Sequence, residues 1–146
     1  MKVIVSDPIS DDGLNIFYEN NIDVIDATDS IIDENYKHIS TANGWIIRSG
    51  TTLDANIIKK ADNLSVIGRA GVGIDNIDIA AATRKGVVVM NTPDANTISA
   101  AEHTMALLLS LSRNVSYGHQ SILSGNWGRH KFIGSELRAK TLGIIG

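Results

Sequence analysis

Five short apolar runs alternate with helix-like stretches over the first 92 residues, and this alternation limits the fold more than any other feature of the chain. The runs are "VIVS" (3–6), "IDVI" (22–25), "GWIIRS" (44–49), "LSVIG" (64–68) and "GVVVMN" (86–91). Strands that are apolar nearly throughout are buried on both faces, and parallel strands need helical crossovers between them. Ser10 is expected to cap a helix with Leu14, Phe17 and Tyr18 on one face. Thr52 is expected to cap a short helix that turns Leu53, Ile57 and Ile58 inward, and Gly86 to end the helix "IDIAAATRK". The predicted architecture is a doubly wound α/β domain with a parallel five-stranded sheet.

The alternation stops after "NTPDAN". "SAAEHTMALLLSLSRNVSYGHQSIL" reads as one long helix, or two in series broken near Tyr117-Gly118, with Ser99 and Glu102 as a capping box. From Met105 to Leu111 apolar residues circle most of the cylinder, so the helix needs cover on several sides. A homodimer through residues 99–116 is the expected use. A polar linker leads to "TLGIIG", a strand beginning at the end of the sequence. The organisation read here is a domain over 1–96, then interface helices and the start of a second, truncated domain over 97–146.

Composition narrows the function. With 43% hydrophobic and 20% charged residues the 146-residue chain sits near the globular average. Without cysteine there is no disulfide and no thiolate metal site, and no metal centre is expected. No run approaches the roughly 20 apolar residues that span a bilayer, and Val3–Val5 is far too short for a signal peptide, so a cytoplasmic protein with no membrane partner is expected. Charge is uneven: eight cations and fifteen acids precede residue 113, five cations and one acid follow from it on. That excess is too sparse for a nucleic-acid arm and suits a small anionic ligand or a neighbouring subunit.

The fourth run leads into "GRAGVGIDN". Gly71-Val72-Gly73 supplies two glycines of a dinucleotide fingerprint, but Asn76 holds the third position, and "VVVMNTP" has no acid for a ribose. Two cations compete with that reading. Arg48-Ser49 ends the third run and Arg69 the fourth, and ligands in doubly wound sheets lie at the carboxyl ends of strands. Two guanidiniums, a hydroxyl and the amides of Ala70, Gly71 and Val72 would together make an anion clamp. Arginines paired with local acids on the surface are the alternative.

The stretch from Val66 to Asn114, "VIGRAGVGIDNIDIAAATRKGVVVMNTPDANTISAAEHTMALLLSLSRN", closely resembles the D-isomer-specific 2-hydroxyacid dehydrogenases, and the likeness returns at "TLGIIG". The resemblance implies a flavodoxin-like substrate domain first, then crossover helices, then a separate NAD domain opening at "LGIIG". It implies that the chain is the first part of a longer NAD-dependent oxidoreductase. Carried over, Arg48, Ser49, Arg69, Ala70, Gly71 and Asn96 would contact a phosphorylated 2-hydroxy acid. Arg129 and Lys131 would reach the substrate phosphate of the other subunit. Val72 and Gly146, the first fingerprint glycine, would face NAD. The family's active-site arginine, glutamate and histidine would all lie beyond residue 146. No catalytic residue is therefore expected in this chain; His38, His103, His119 and His130 are read as solvated or packed. The chain alone is expected to be inactive and to bind NAD weakly. Two other readings stay open: a relative reducing glyoxylate or hydroxypyruvate, and a receiver module. The latter would need an aspartate where Arg48 stands and a lysine where "MNTP" closes the fifth run.

Overall fold

The computed structural model describes residues 1–145. It forms two compact units, Met1–Asn96 and the residues from Thr97 on. The first contains β1 (Lys2–Val5), α1 (Asp11–Glu19), β2 (Asp23–Asp26), β3 (Gly44–Ile47), α2 (Ala55–Lys60), β4 (Val66–Arg69), α3 (Ile79–Lys85) and β5 (Val88–Asn91). All five strands are parallel, in the order β2-β1-β3-β4-β5. This is the expected flavodoxin-like sheet.

The core explains the order. Ile4, Trp45, Ile47 and Ile67 on the three central strands are fully buried, joined by Leu53, Ile57 and Ile58 before and within α2 and by Ala81 and Ala82 of α3. Burying a side chain of this size contributes about 1.5–3 kcal/mol, so these three strands anchor the unit. Each helix start takes its own cap. Ser10 Oγ accepts from the Gly13 amide at 3.3 Å, as expected. The second helix is capped by Asp54, not by Thr52: the Asp54 carboxylate accepts from the Ile57 amide at 2.9 Å. Asp54 is the cap because the backbone of Leu53 is still bonded to Asn76 and Asp78, so the helix turns only after it. Gly86 ends α3 with φ +75°. Tyr18, expected on the inner face of α1 with Leu14 and Phe17, is 57% exposed, while the other two are half-buried.

The second unit contains α4 (Thr97–Ser112), α5 (Val115–Leu123) and a 3₁₀ turn at Arg129–Lys131. Two expectations fail here for local reasons. The helix starts at Thr97, so Ser99 and Glu102 lie within its first two turns and form no capping box. The break falls at Asn114, which takes a left-handed conformation (φ 55°), and Gly118 continues inside α5. Asn tolerates that conformation far better than most residues. Its Nδ2 donates to the Ile133 carbonyl at 3.2 Å, and the Ser135 amide donates to the Ser112 carbonyl at 2.7 Å, so the following segment closes over the break. The strand expected in "TLGIIG" is not formed over residues 141–145, where Leu142, Ile144 and Ile145 are exposed. A lone strand has no ladder to join.

Candidate functional site

In this strand order the chain departs from β1 toward β2 on one side, whereas β3, β4 and β5 follow on the other. The loops after β1 and β3 therefore diverge, and a doubly wound sheet opens a crevice at such a switch point, at the carboxyl ends of its strands. An open depression of about 420 Å³ lies there, lined by Pro8, Ile9, Ser10, Arg48 and Ala70. Two larger hollows, of about 530 and 520 Å³, flank α2 and include no strand-end residue.

Beneath the crevice is a buried polar floor that the sequence did not disclose. Ser6 Oγ accepts from the Trp45 indole N–H at 3.0 Å and pairs with the Thr51 hydroxyl at 3.0 Å. Asp7 is 8% exposed, and its Oδ2 accepts from the amides of Arg48 (2.6 Å) and Thr51 (3.1 Å). A Cβ at Gly50 would press on Asp7 Oδ1, so glycine there leaves the carboxylate in its place. From the other side Asn76 Nδ2 donates to the carbonyls of Arg48 (2.6 Å) and Thr51 (2.5 Å). An aspartate directly after a strand, in "VSDP", is the one signal that could have pointed to this floor.

Above it lie the residues singled out from the sequence. Arg48 and Ser49 follow β3 and are exposed; Arg69 is the last residue of β4 and pairs in register with Ile47. Arg48 Nη1 donates to the Pro8 carbonyl at 3.3 Å, which lays its guanidinium toward the β1 loop. The Arg69 guanidinium folds over Gly71, and its Nε is buried without a partner among the described residues. No ion pair joins either arginine to an acid among the described residues; the pair found there is Lys60–Glu34.

The expected trio of loop amides needs correction. The Ala70 amide donates to the Ile47 carbonyl (2.8 Å), prolonging the sheet, and the Gly71 amide donates to the Arg69 carbonyl (2.8 Å) in a tight turn. Of the three, only the Val72 amide makes no hydrogen bond among the described residues, and on the neighbouring turn the same holds for Ser49 and Gly50. The loop is braced on its outer side by Asn91 Nδ2, which donates to the Val72 carbonyl at 2.7 Å. Asp75 Oδ1 lies close against Gly73 and puts negative charge on that flank. An anion is therefore favoured on the Arg48 side.

The glycine loop does not fit a dinucleotide. A pyrophosphate would sit at the amino terminus of the next helix, but Asp78 fills it, its carboxylate accepting from the Ala81 amide at 2.8 Å. The third fingerprint position, Asn76, is committed to the Arg48–Thr51 turn. Asn96 is exposed at the end of the first unit. Arg129 and Lys131 are exposed in their 3₁₀ turn, where Arg129 Nε donates to His130 Nε2 at 3.4 Å. Gly146 lies outside the described residues. One carboxyl has a shifted pKa: the Thr28 amide and hydroxyl bonded to Asp26, at the end of β2, hold it below the usual range.

Residues 3–142 match the family model of the D-isomer specific 2-hydroxyacid dehydrogenase, catalytic domain. The chain is 45% identical over its full length to the D-3-phosphoglycerate dehydrogenase of Archaeoglobus fulgidus, of which it spans 28%. Among solved structures it is similar to the TT0316 protein of Thermus thermophilus, with TM-score 0.82 and 28% identity over 94% of this chain and 46% of that one. It is also similar to the NAD+-bound 3-phosphoglycerate dehydrogenase of Entamoeba histolytica, with TM-score 0.65 and 31% identity over 77% of this chain and 39% of that one. The match over nearly the whole chain, the 2-1-3-4-5 sheet and the arginines at its carboxyl edge agree: this chain belongs to the D-isomer specific 2-hydroxyacid dehydrogenases.

Proposed function

We propose that this chain is the substrate-binding part of an NAD-dependent D-3-phosphoglycerate dehydrogenase, which oxidises 3-phosphoglycerate to 3-phosphohydroxypyruvate in the first step of serine biosynthesis. The observation that carries the reading is the pair Arg48 and Arg69 on adjacent strands, at the switch-point edge and free of acidic partners among the described residues. Relatives bearing that enzyme name, such as the Archaeoglobus fulgidus protein, align along the whole chain. Arg48 and Arg69 offer positive charge to the phosphate, and the amides of Ser49, Gly50 and Val72 offer donors to the carboxylate. Ala70 and Gly71 contribute shape, since their amides are already used. Asn96 joins the substrate contacts through its side chain.

NAD, when bound to the whole enzyme, accepts the hydride; in this reading it is held mostly by residues outside the glycine loop, and Val72 and Gly146 are the contacts that this chain contributes. The apolar circumference of α4 supports a homodimer through residues 99–116, in which Arg129 and Lys131 reach the phosphate in the other subunit. The test is turnover of 3-phosphoglycerate with NAD by the gene product that carries this segment. Arg48→Ala or Arg69→Ala should raise its KM ten- to a hundredfold, the worth of one charge-assisted hydrogen bond at about 1.5–3 kcal/mol. An unphosphorylated 2-hydroxy acid should lose less. Faster turnover of glyoxylate or hydroxypyruvate than of phosphohydroxypyruvate in reverse would assign the chain to another member of the family.

A further inference from the structure

The Arg48–Thr51 turn is held in a way that ordinary strand ends are not. The sheet ladder stops just before it, with the Ser6 amide on the Ile46 carbonyl (3.1 Å) and the Ala70 amide on the Ile47 carbonyl (2.8 Å). Beyond that point two side chains take the place of neighbouring strands. On the β1 side a single oxygen, Asp7 Oδ2, accepts both Arg48 N–H and Thr51 N–H. On the β4 side a single nitrogen, Asn76 Nδ2, donates to both Arg48 C=O and Thr51 C=O. All four backbone polar groups of the two end residues thus terminate on two atoms. The middle residues, Ser49 and Gly50, keep their amides free among the described residues.

We propose that Asp7 and Asn76 are a positioning pair, gripping this turn from its two sides so that Arg48 and the amides of Ser49 and Gly50 meet the substrate on a fixed backbone. The inference rests on the substrate reading above and deepens it. It also accounts for asparagine at the third fingerprint position. A glycine there would have no side chain to span the two loops, and an aspartate would set a negative acceptor against two carbonyl oxygens. Thr51 is buried and Arg48 exposed, so the grip runs from the core to the crevice. The Asn76 backbone joins the same seam: its carbonyl accepts from the Leu53 amide at 2.9 Å, and the Asp78 amide donates to the Leu53 carbonyl at 2.9 Å.

Two measurements test the pair. Amide hydrogen exchange in this chain should be about tenfold faster at Arg48 and Thr51 in Asn76→Ala, the worth of a neutral hydrogen bond or two. The Asp54- and Asp78-capped amides of Ile57 and Ala81 should be unchanged. In the gene product that carries this segment, Asn76→Ala should raise KM for 3-phosphoglycerate about tenfold with kcat held within about twofold. In an Arg48→Ala background the same change should add less than about twofold, because a residue that works through Arg48 loses its lever when Arg48 is gone. Asn76→Asp should be at least as harmful as Asn76→Ala. Asp7→Asn, which keeps an acceptor oxygen and the shape beside Gly50, should be the mildest of the set. Unchanged exchange at Arg48 and Thr51, or full additivity of Asn76→Ala and Arg48→Ala, overturns the pair. If wild-type protein does not oxidise 3-phosphoglycerate, the dehydrogenase reading falls and the substrate-positioning role falls with it. The exchange result would then show separately whether the grip itself exists.

Discussion

The two units are equally rich in apolar residues but bury them very differently. Among the described residues, every fully buried apolar side chain belongs to the first unit, between Val3 and Val87. In the second, α4 and α5 bury no residue, and Met105, Leu107, Leu109 and Leu111 stand 47–78% exposed. A parallel sheet with helices supplies complementary faces within one unit, so its apolar residues find each other. A helix that is apolar on most sides, as α4 is from Met105 to Leu111, presents more apolar surface than its one neighbour α5 covers. The comparison separates a unit with a buried core from two helices whose apolar side chains stand exposed.

The sharpest way to break this contrast is to divide the chain. Residues 1–96 alone should keep a cooperative unfolding transition, while residues 97–146 alone should show none by circular dichroism; a cooperative second unit would void the comparison. Next in size, Trp45→Ala should cost about 3–5 kcal/mol in denaturant unfolding, because it opens a cavity and deprives Ser6 of its indole donor. Leu107→Ala, at an exposed position, should stay within about 0.5 kcal/mol in dilute monomer. At higher concentration the same variant reports on the homodimer, since a loss that grows with concentration means that α4 is covered by a second copy. Smaller again, Asp54→Ala or Asp78→Ala should each cost about 1 kcal/mol through a lost helix cap.

The smallest effect is at Asp26. Its carboxyl is held low by Thr28, so its contribution to stability is present above the ordinary carboxylate range. That contribution fades as pH falls through the lowered value. Thr28→Val keeps the amide bond and removes the hydroxyl, so an NMR titration of Asp26 should move part of the way back toward the ordinary value.

The parts of this molecule that could be read in its sequence are those set by pattern. Continuous apolar runs located all five strands, and Gly86 marked the end of α3, because burial on two faces and left-handed helix ends leave residue types behind. The cap of α2 is Asp54 where the sequence suggests Thr52, because two good caps stand close together and only the backbone decides which one reaches the helix amides. Arg48 and Arg69 could be read as strand-end cations. Asp7 left one hint, an aspartate directly after a strand, but its meeting with Thr51 and Asn76 did not show, since nothing along the chain tells that residues so far apart in number meet over one turn. The engaged amides of Ala70 and Gly71 are hidden from the sequence for a related reason: whether a loop amide is free depends on how far the neighbouring ladder runs and how tightly the loop turns.

Gly71 has a consequence for how this loop can vary. Its φ is +155°, a region that residues with a side chain rarely adopt, and a Cβ there would also meet the Arg69 guanidinium. The backbone angle is what selects glycine, since the guanidinium is the far end of a flexible side chain and can swing aside. Shortening residue 69 therefore does not make room for alanine at 71. A genetic selection that begins from Gly71→Ala should therefore recover true revertants at codon 71, and no single second-site suppressor at codon 69.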